Sequence, residues 1–230
     1  MNQPHDDGRR EVVVTGVGII SPYGRGCQAY WQGLSQGHCA IKAIRLFPTE
    51  GFRSRIGGEV SADTVRTLGA TSRSRANRFV VAAAEEAVCR AMLAPEALAT
   101  AAVSIGGAGG GMLEAETWYW ARYGAQENVR LRTALRSTFP TMQTEAVACR
   151  FKIGGPRETP ILACSSSAAA ITTVADLIAS GTVDVGLAGG VETLTWQDVA
   201  WHQMRFTRPP PQPMLRGRYG RCMRLWCGLT

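Results

Sequence analysis

Leu162-Ala163-Cys164-Ser165-Ser166-Ser167 sets a nucleophilic thiol among residues small enough to let a tight turn close. An apolar run, Thr159–Ala163, precedes it, and Ser165–Ile178, charged only at Asp176, follows. This pattern predicts a strand-to-helix junction, which lifts one side chain above a sheet as in a nucleophile elbow. A thiol placed there feels the positive end of the helix dipole, which favours thiolate. The free amides of the first helical turn suit a developing oxyanion. Taken alone, a cysteine is more often a small buried hydrophobe than a nucleophile.

Gly106-Gly107-Ala108-Gly109-Gly110-Gly111 is the second candidate, because glycine loops that follow strands cradle phosphates. The acidic residue that a dinucleotide fingerprint places after a further strand is missing, so close packing of a turn fits better. Trp118-Tyr119-Trp120 reads as core or interface, not a binding platform. The three histidines, His5, His38 and His202, are scattered and suit surface or local hydrogen-bonding roles. No metal site is expected.

The elements that must position these residues follow from pattern. Glu11–Gly18 is a β-branched run ending in glycines and predicts a buried strand, and Ala29–Leu34 a short helix. Arg55–Val60 reads as an extended or hairpin segment. Ser72–Leu93 is the clearest helix: Ser72 and Ser74 suit its cap, and Phe79, Ala83, Ala87 and Ala91 form one stripe. Glu86 and Arg90 stand at a favourable i,i+4 spacing. Ala101–Ile105 predicts a strand, Leu113 to about Tyr123 a helix, and Thr141–Phe151 another, stopped by Gly154-Gly155-Pro156. Thr159–Ala163 predicts a strand, Ser165–Ile178 a helix buried on most sides, and Val183–Ala188 a strand closed by Gly189-Gly190. Alternation of strands and helices implies an α/β layered domain with a largely parallel sheet.

With 230 residues, 45% hydrophobic and 19% charged, the chain has enough apolar material for a sizeable core and is not wholly disordered. No apolar run approaches a membrane span, and the polar leader, residues 1–10, has no signal-peptide core. Seven cysteines without paired spacing suggest reduced thiols in a cytosol. The net charge of +7 is uneven: Arg205–Thr230 holds six arginines and no acidic residue, leaving 19 basic against 18 acidic groups before it. The domain at 11–204 is balanced and the excess belongs to a Pro/Arg-rich tail at 205–230, which argues against a nucleic-acid or membrane partner.

Four segments carry a resemblance: VVVTGVGIISPYG, FPTEGFRSRIGGEV, FKIGGPRETPILACSSSAAAI and DVGLAGGVETL. In this order, across about Glu11–Leu194, the chain resembles the β-ketoacyl synthases, the decarboxylating condensing enzymes of the thiolase superfamily. The Cys-x-Ser-Ser form is that of the elongating members. The resemblance implies a thiolase-like N-terminal half: a mixed, mostly parallel sheet flanked by helices, an incomplete αβαβα sandwich. It implies a cytoplasmic acyltransferase of fatty acid or polyketide synthesis. Cys164 would accept an acyl chain from the phosphopantetheine arm of acyl carrier protein, with no bound cofactor, and its backbone N–H would supply half of an oxyanion hole. Ser165 and Gly109 would border the acyl site, with Gly109 replacing a larger apolar gate. A homodimer, or a heterodimer with another synthase, is expected.

Neither of the family's two histidine motifs is present, and the matching segments are roughly the first half of a member. The expectation is therefore a chain catalytically incomplete alone, with a change of reading frame near Arg205 as one explanation of the tail. Half a sandwich would leave an apolar face of Ser165–Ile178 open and prone to association. The alternatives are a non-catalytic partner of a complete synthase, which retention of Cys164 disfavours, and a basic RNA- or membrane-associating protein driven by its tail.

Overall fold

A computed structural model of the chain describes residues 10–69, 74–123 and 135–204. The region around the candidate thiol is organised by three parallel strands, β5 (Ala102–Gly106), β6 (Arg157–Glu158) and β7 (Gly186–Gly190), in the order β6-β5-β7. Val103 stands opposite both Arg157 and Leu187, and Gly106 opposite Gly190. All of β5 is buried, as a central parallel strand covered on both faces must be. Its side chains alternate between two cores. Val103 and Ile105 pack with Val80, Val81, Val147 and Ala148 from α3 (Arg75–Arg90) and α6 (Thr141–Phe151). Ala102 packs with Val174 and Val183 on the side of α7 (Ser166–Ala179). The result is a helix–sheet–helix sandwich, the α/β layering expected from the sequence. The remaining ladders among the described residues are two short antiparallel pairs, β1 (Ile20–Ser21) with β2 (Gly24–Arg25) and β3 (Lys42–Ala43) with β4 (Ile56–Gly57). In the second, Ile56–Gly57 is the extended form of the two expected for Arg55–Val60, paired with a segment outside it.

The helix expected over Ser72–Leu93 is α3. Ser74 caps it, its Oγ accepting from the Asn77 N–H, while Ser72 lies outside the described residues. Phe79 joins Val60, Leu68 and Ala82 in a second small core. The other stripe residues, Ala83, Ala87 and Ala91, do something different: they seat the backbone of the N-terminal segment. A Cβ on Gly16 would lie 2.1 Å from the Ala87 carbonyl oxygen, and one on Gly18 would lie 1.8 Å from that of Ala83. The strand expected at Glu11–Gly18 is accordingly absent from every ladder among the described residues. Its glycines dock on α3, while Val13 and Val14 stand 66% and 81% exposed. The other corrections concern extent. The short helix is α1 (Cys27–Ser35) and the last strand reaches Gly190. In place of the expected Thr159–Ala163, the strand is Arg157–Glu158, just upstream, which pairs with β5; Ile161 and Leu162 are exposed. Helix α7 buries a single stripe, Ser166, Ala170 and Val174, and leaves Ile171 in solvent, so it is not enclosed on most sides.

Carboxylates from one element repeatedly cap another. Glu86 of α3 accepts from the Ile19 N–H (3.0 Å) and from the Cys27 N–H at the start of α1 (2.8 Å), and pairs with Arg90 as expected. Burial pushes the Glu86 carboxyl up, but the Cys27 and Ile19 amides, the Cys27 thiol and Arg90 outweigh it, and the net shift is below the ordinary carboxylate value. A group depressed in the folded state stabilises above its unfolded pKa and loses that contribution as pH falls through the folded one. Glu86→Gln should therefore cost about 1–2 kcal/mol near neutral pH, and the gap from wild type should close in acid. Urea unfolding of both proteins across that range reads the effect.

Candidate active site

Between β6 and α7 the chain makes a single 3-10 turn, Ala163–Ser165, with Cys164 at its centre. Ala163 has φ +50°, a left-handed conformation that a residue with a Cβ rarely adopts. Five hydrogen bonds close the turn, one of them from the Ser166 N–H to the Ala163 carbonyl. The Ser165 N–H and Oγ both donate to the Leu162 carbonyl, at 3.1 and 2.8 Å. The Ser166 Oγ accepts from the Leu162 N–H and donates to the Ala163 carbonyl, both at 2.8 Å. None of these bonds uses the Cys164 N–H. The turn presents Cys164 as an exposed free thiol directly before the N-terminus of α7.

The elbow rests on the carboxyl ends of two strands, the end of a parallel sheet where ligand sites collect. A Cβ on Gly106, the last residue of β5, would lie 2.3 Å from the Ser166 carbonyl group, and one on Gly190, the last of β7, 2.6 Å from the Ser167 Cβ. Missing side chains at both strand ends thus let α7 settle onto the sheet. The turn's own small residues, Ala163 to Ser167, give it room to close.

The structure brings Cys164 and Ser165 together, with the Ser165 hydroxyl committed to the turn. Gly109 lies in the loop that leaves the end of β5. Its N–H and that of Ala108 are taken by the Glu192 carboxylate at 2.9–3.0 Å. The atoms nearest a Cβ on Gly109 belong to Glu192 and Asp198, not to Cys164. An internal carboxylate fills amides that a phosphate loop would leave for its ligand, which disfavours the nucleotide reading of the glycine run. Trp118 is half-buried and Tyr119 exposed; the side chain of Trp120 lies outside the described residues.

Sequence reasoning missed the groups that fasten this end of the molecule. The Oε atoms of Glu116, on α5 (Met112–Tyr123), accept from the Trp196 and Gln197 N–H groups at the start of α8 (Trp196–Met204), a helix not anticipated. Thr195 and Asp198 complete that start by exchanging hydrogen bonds, the Asp198 N–H donating to Thr195 Oγ1 and the hydroxyl to Asp198 Oδ2. Thr195-x-x-Asp198 is the local signal that reveals this helix. Glu116 and Glu114, the latter accepting from the Arg75 N–H, have carboxyls pushed up by burial. Nothing local marks Glu116 or Glu192, because the distant amides they hold lie 80 or more residues away. Among the described residues no group of His, Cys, Asp or Glu could hold a metal ion, and no helix is long and apolar enough to cross a membrane.

Comparison with known proteins converges on one family. The family model "Beta-ketoacyl synthase, N-terminal domain" matches residues 9–209. The ketoacyl synthase alpha subunit of the tetracenomycin polyketide synthase from Streptomyces glaucescens is 31% identical over 195 residues, 80% of this chain and 46% of that protein. The 3-oxoacyl-[acyl-carrier-protein] synthase 1 of Escherichia coli K12 is 29% identical over 201 residues, 82% of this chain and 48% of that one. Among solved structures, the ishigamide ketosynthase/chain length factor superposes with a TM-score of 0.75 at 25% identity, covering 88% of this chain and 52% of that chain. The chain spans about half the length of the curated relatives it matches.

Proposed function

The chain belongs to the β-ketoacyl synthase family through its N-terminal domain, and we propose that it carries the acyl-accepting half of a decarboxylating Claisen condensation, with Cys164 as nucleophile. The observation that carries this is the exposed thiol on a strained turn, set at a helix N-terminus above the ends of β5 and β7. In the first step the Cys164 thiolate attacks the carbonyl of an acyl thioester. A carbon–sulfur bond forms to Cys164, the bond to the phosphopantetheine sulfur breaks, and acyl carrier protein leaves as the thiolate and takes up a proton. In the second step a malonyl thioester loses carbon dioxide, and its carbanion attacks the acyl-cysteine carbonyl. A carbon–carbon bond forms and Cys164 leaves as thiolate.

The residues of the turn serve the first step. The Cys164 N–H, engaged by none of the five turn bonds, is assigned as one oxyanion donor. Leu162, Ala163, Ser165 and Ser166 include no base, so decarboxylation is assigned to groups supplied from outside this turn, and the chain by itself is proposed to acylate without condensing. Its partners are acyl carrier protein and a second synthase chain, and its compartment the cytoplasm. Fatty acid and polyketide synthesis both fit, and the similarity to synthases of each kind supports that range. The test is incubation with acyl thioesters of carrier protein, followed by intact mass measurement: an acyl adduct on Cys164 is expected, and its absence overturns the assignment.

Ser165 and Gly109 are proposed to border the acyl chain, with Gly109 leaving the pocket open to long chains. Gly109→Val should then narrow acceptance, lowering acylation by long-chain thioesters about tenfold more than by acetyl thioester, about 1.4 kcal/mol of selectivity. Equal effects on both chain lengths would exclude a pocket role for Gly109.

A further inference from the structure

We propose that the outer face of the β3–β4 ladder is the surface on which an acidic partner docks. The inference rests on the reading above, under which that partner is acyl carrier protein. The inner face of the ladder is covered: Ile44 is buried, and a Cβ on Gly57 would lie 3.1 Å from the Leu194 side chain and 3.3 Å from that of Ile44. Ala43 and Ile56 stand opposite each other and share the outer face. Ile56 is 60% exposed and Ile41, directly before β3, 56%, although isoleucine is among the residues most often buried. Cations border the two isoleucines. Lys42, Arg45 and Arg55 are all exposed, and no ion pair among the described residues engages them. The carboxylates of this stretch do not neutralise them. Glu59 is committed to the Arg45 and Leu46 N–H groups, at 2.8 and 3.1 Å, and Glu50 is the one acidic residue of the connection between the strands.

Exposed apolar side chains among unpaired cations complement a partner that presents carboxylates around a few apolar groups. The place of the ladder in the fold fits delivery to Cys164. Phe52, on the connection between β3 and β4, packs against Trp196 with 5.4 Å between ring centroids. Leu194 and Trp196 belong to the stretch that leaves the carboxyl end of β7, whose last residue, Gly190, seats Ser167 of α7. The four residues from Gly190 to Leu194 span no more than about 14 Å. The basic face thus stands on the rim of the end of the sheet that holds the thiol, and a carrier docked there can pass a tethered thioester to it.

The experiment compares the full chain with a triple variant, Lys42→Glu with Arg45→Glu and Arg55→Glu. Two substrates carry the same octanoyl thioester, one on acyl carrier protein and one on free pantetheine, and intact mass spectrometry follows acylation by each. The variant should acylate from carrier protein about tenfold more slowly and from pantetheine within about twofold of wild type. Lys152→Glu makes a matched charge change between α6 and β6, at the opposite end of the sheet, and should keep both rates within about twofold. Added salt should slow the wild type with carrier protein and leave its rate with pantetheine unchanged. Anisotropy of fluorescently labelled carrier protein reads the same contrast as binding, with no chemistry required. Equal losses with both substrates, no loss with either, or wild-type binding to anionic phospholipid vesicles but not to carrier protein overturns the proposal. A wild type that binds carrier protein through these residues yet never acylates refutes the function and leaves the docking surface standing.

Discussion

Cys164→Ser is expected to reduce the acyl adduct to uncatalysed background while leaving the fold intact. The thiol is exposed and makes no contact on which the core depends, so exchanging sulfur for oxygen should move the melting temperature little. The chemistry changes far more. A serine hydroxyl has no base within the turn to take its proton, whereas a cysteine ionises close to physiological pH and its thiolate is intrinsically a strong nucleophile. Intact mass spectra of wild type and variant after exposure to acyl carrier protein thioesters, with hydroxylamine cleavage to confirm a thioester, make the comparison. An adduct persisting in Cys164→Ser would place the acceptor at another thiol and remove the nucleophile assignment.

The second large effect concerns the floor beneath the nucleophile. Gly106→Ala places a methyl group 2.3 Å from the Ser166 backbone carbonyl, where no flexible side chain exists to move aside. Helix α7 and strand β5 must separate, and both are central to the sandwich. A loss of about 3 kcal/mol or more is expected, at the upper end for overpacking. Gly189→Ala is the matched control: it lies one residue from the end of the neighbouring strand and its added methyl meets nothing within 4 Å. Its effect should stay within about 0.5 kcal/mol. Urea unfolding of the two variants distinguishes a specific seat for α7 from a general intolerance of side chains at the strand ends.

What could be read from residues alone followed the range of the interaction involved. Helix α3 announces itself through capping serines, an alanine stripe and a charged face, and the turn at Ala163–Ser165 through small neighbours at a change of periodicity, all signals held within a few residues. Strand β5 is legible because every residue of this fully buried strand but Ser104 is apolar or glycine. The misreadings arise where a local pattern serves a non-local purpose. Val12, Val13, Val14 and Val17 have the composition of a buried strand, but a strand needs a neighbour, and no ladder among the described residues includes them. Ser165–Ile178 is nearly free of charge, yet the fold covers only its Ser166–Ala170–Val174 stripe. Glu86, expected only to pair with Arg90, and Glu116 and Glu192, for which no role is expected, hold the ends of distant elements. Their sequence neighbourhood contains nothing of that duty.

The seat of Gly16 and Gly18 on the alanines of α3 carries a consequence for how this protein tolerates change. The contact is written in atoms that are missing, on both sides. Deletion scanning by alanine is blind at Ala83, Ala87 and Ala91 and disruptive at the two glycines, where alanine is the larger residue. Neutral drift at the two glycines is therefore one-directional: every mutation adds bulk, and trimming the opposite side chains cannot compensate, because the nearest atoms are the backbone carbonyls of Ala83 and Ala87. Residues 16, 18, 83, 87 and 91 form a ratchet in sequence space. The valines between and before the glycines, facing outward, are the positions free to change.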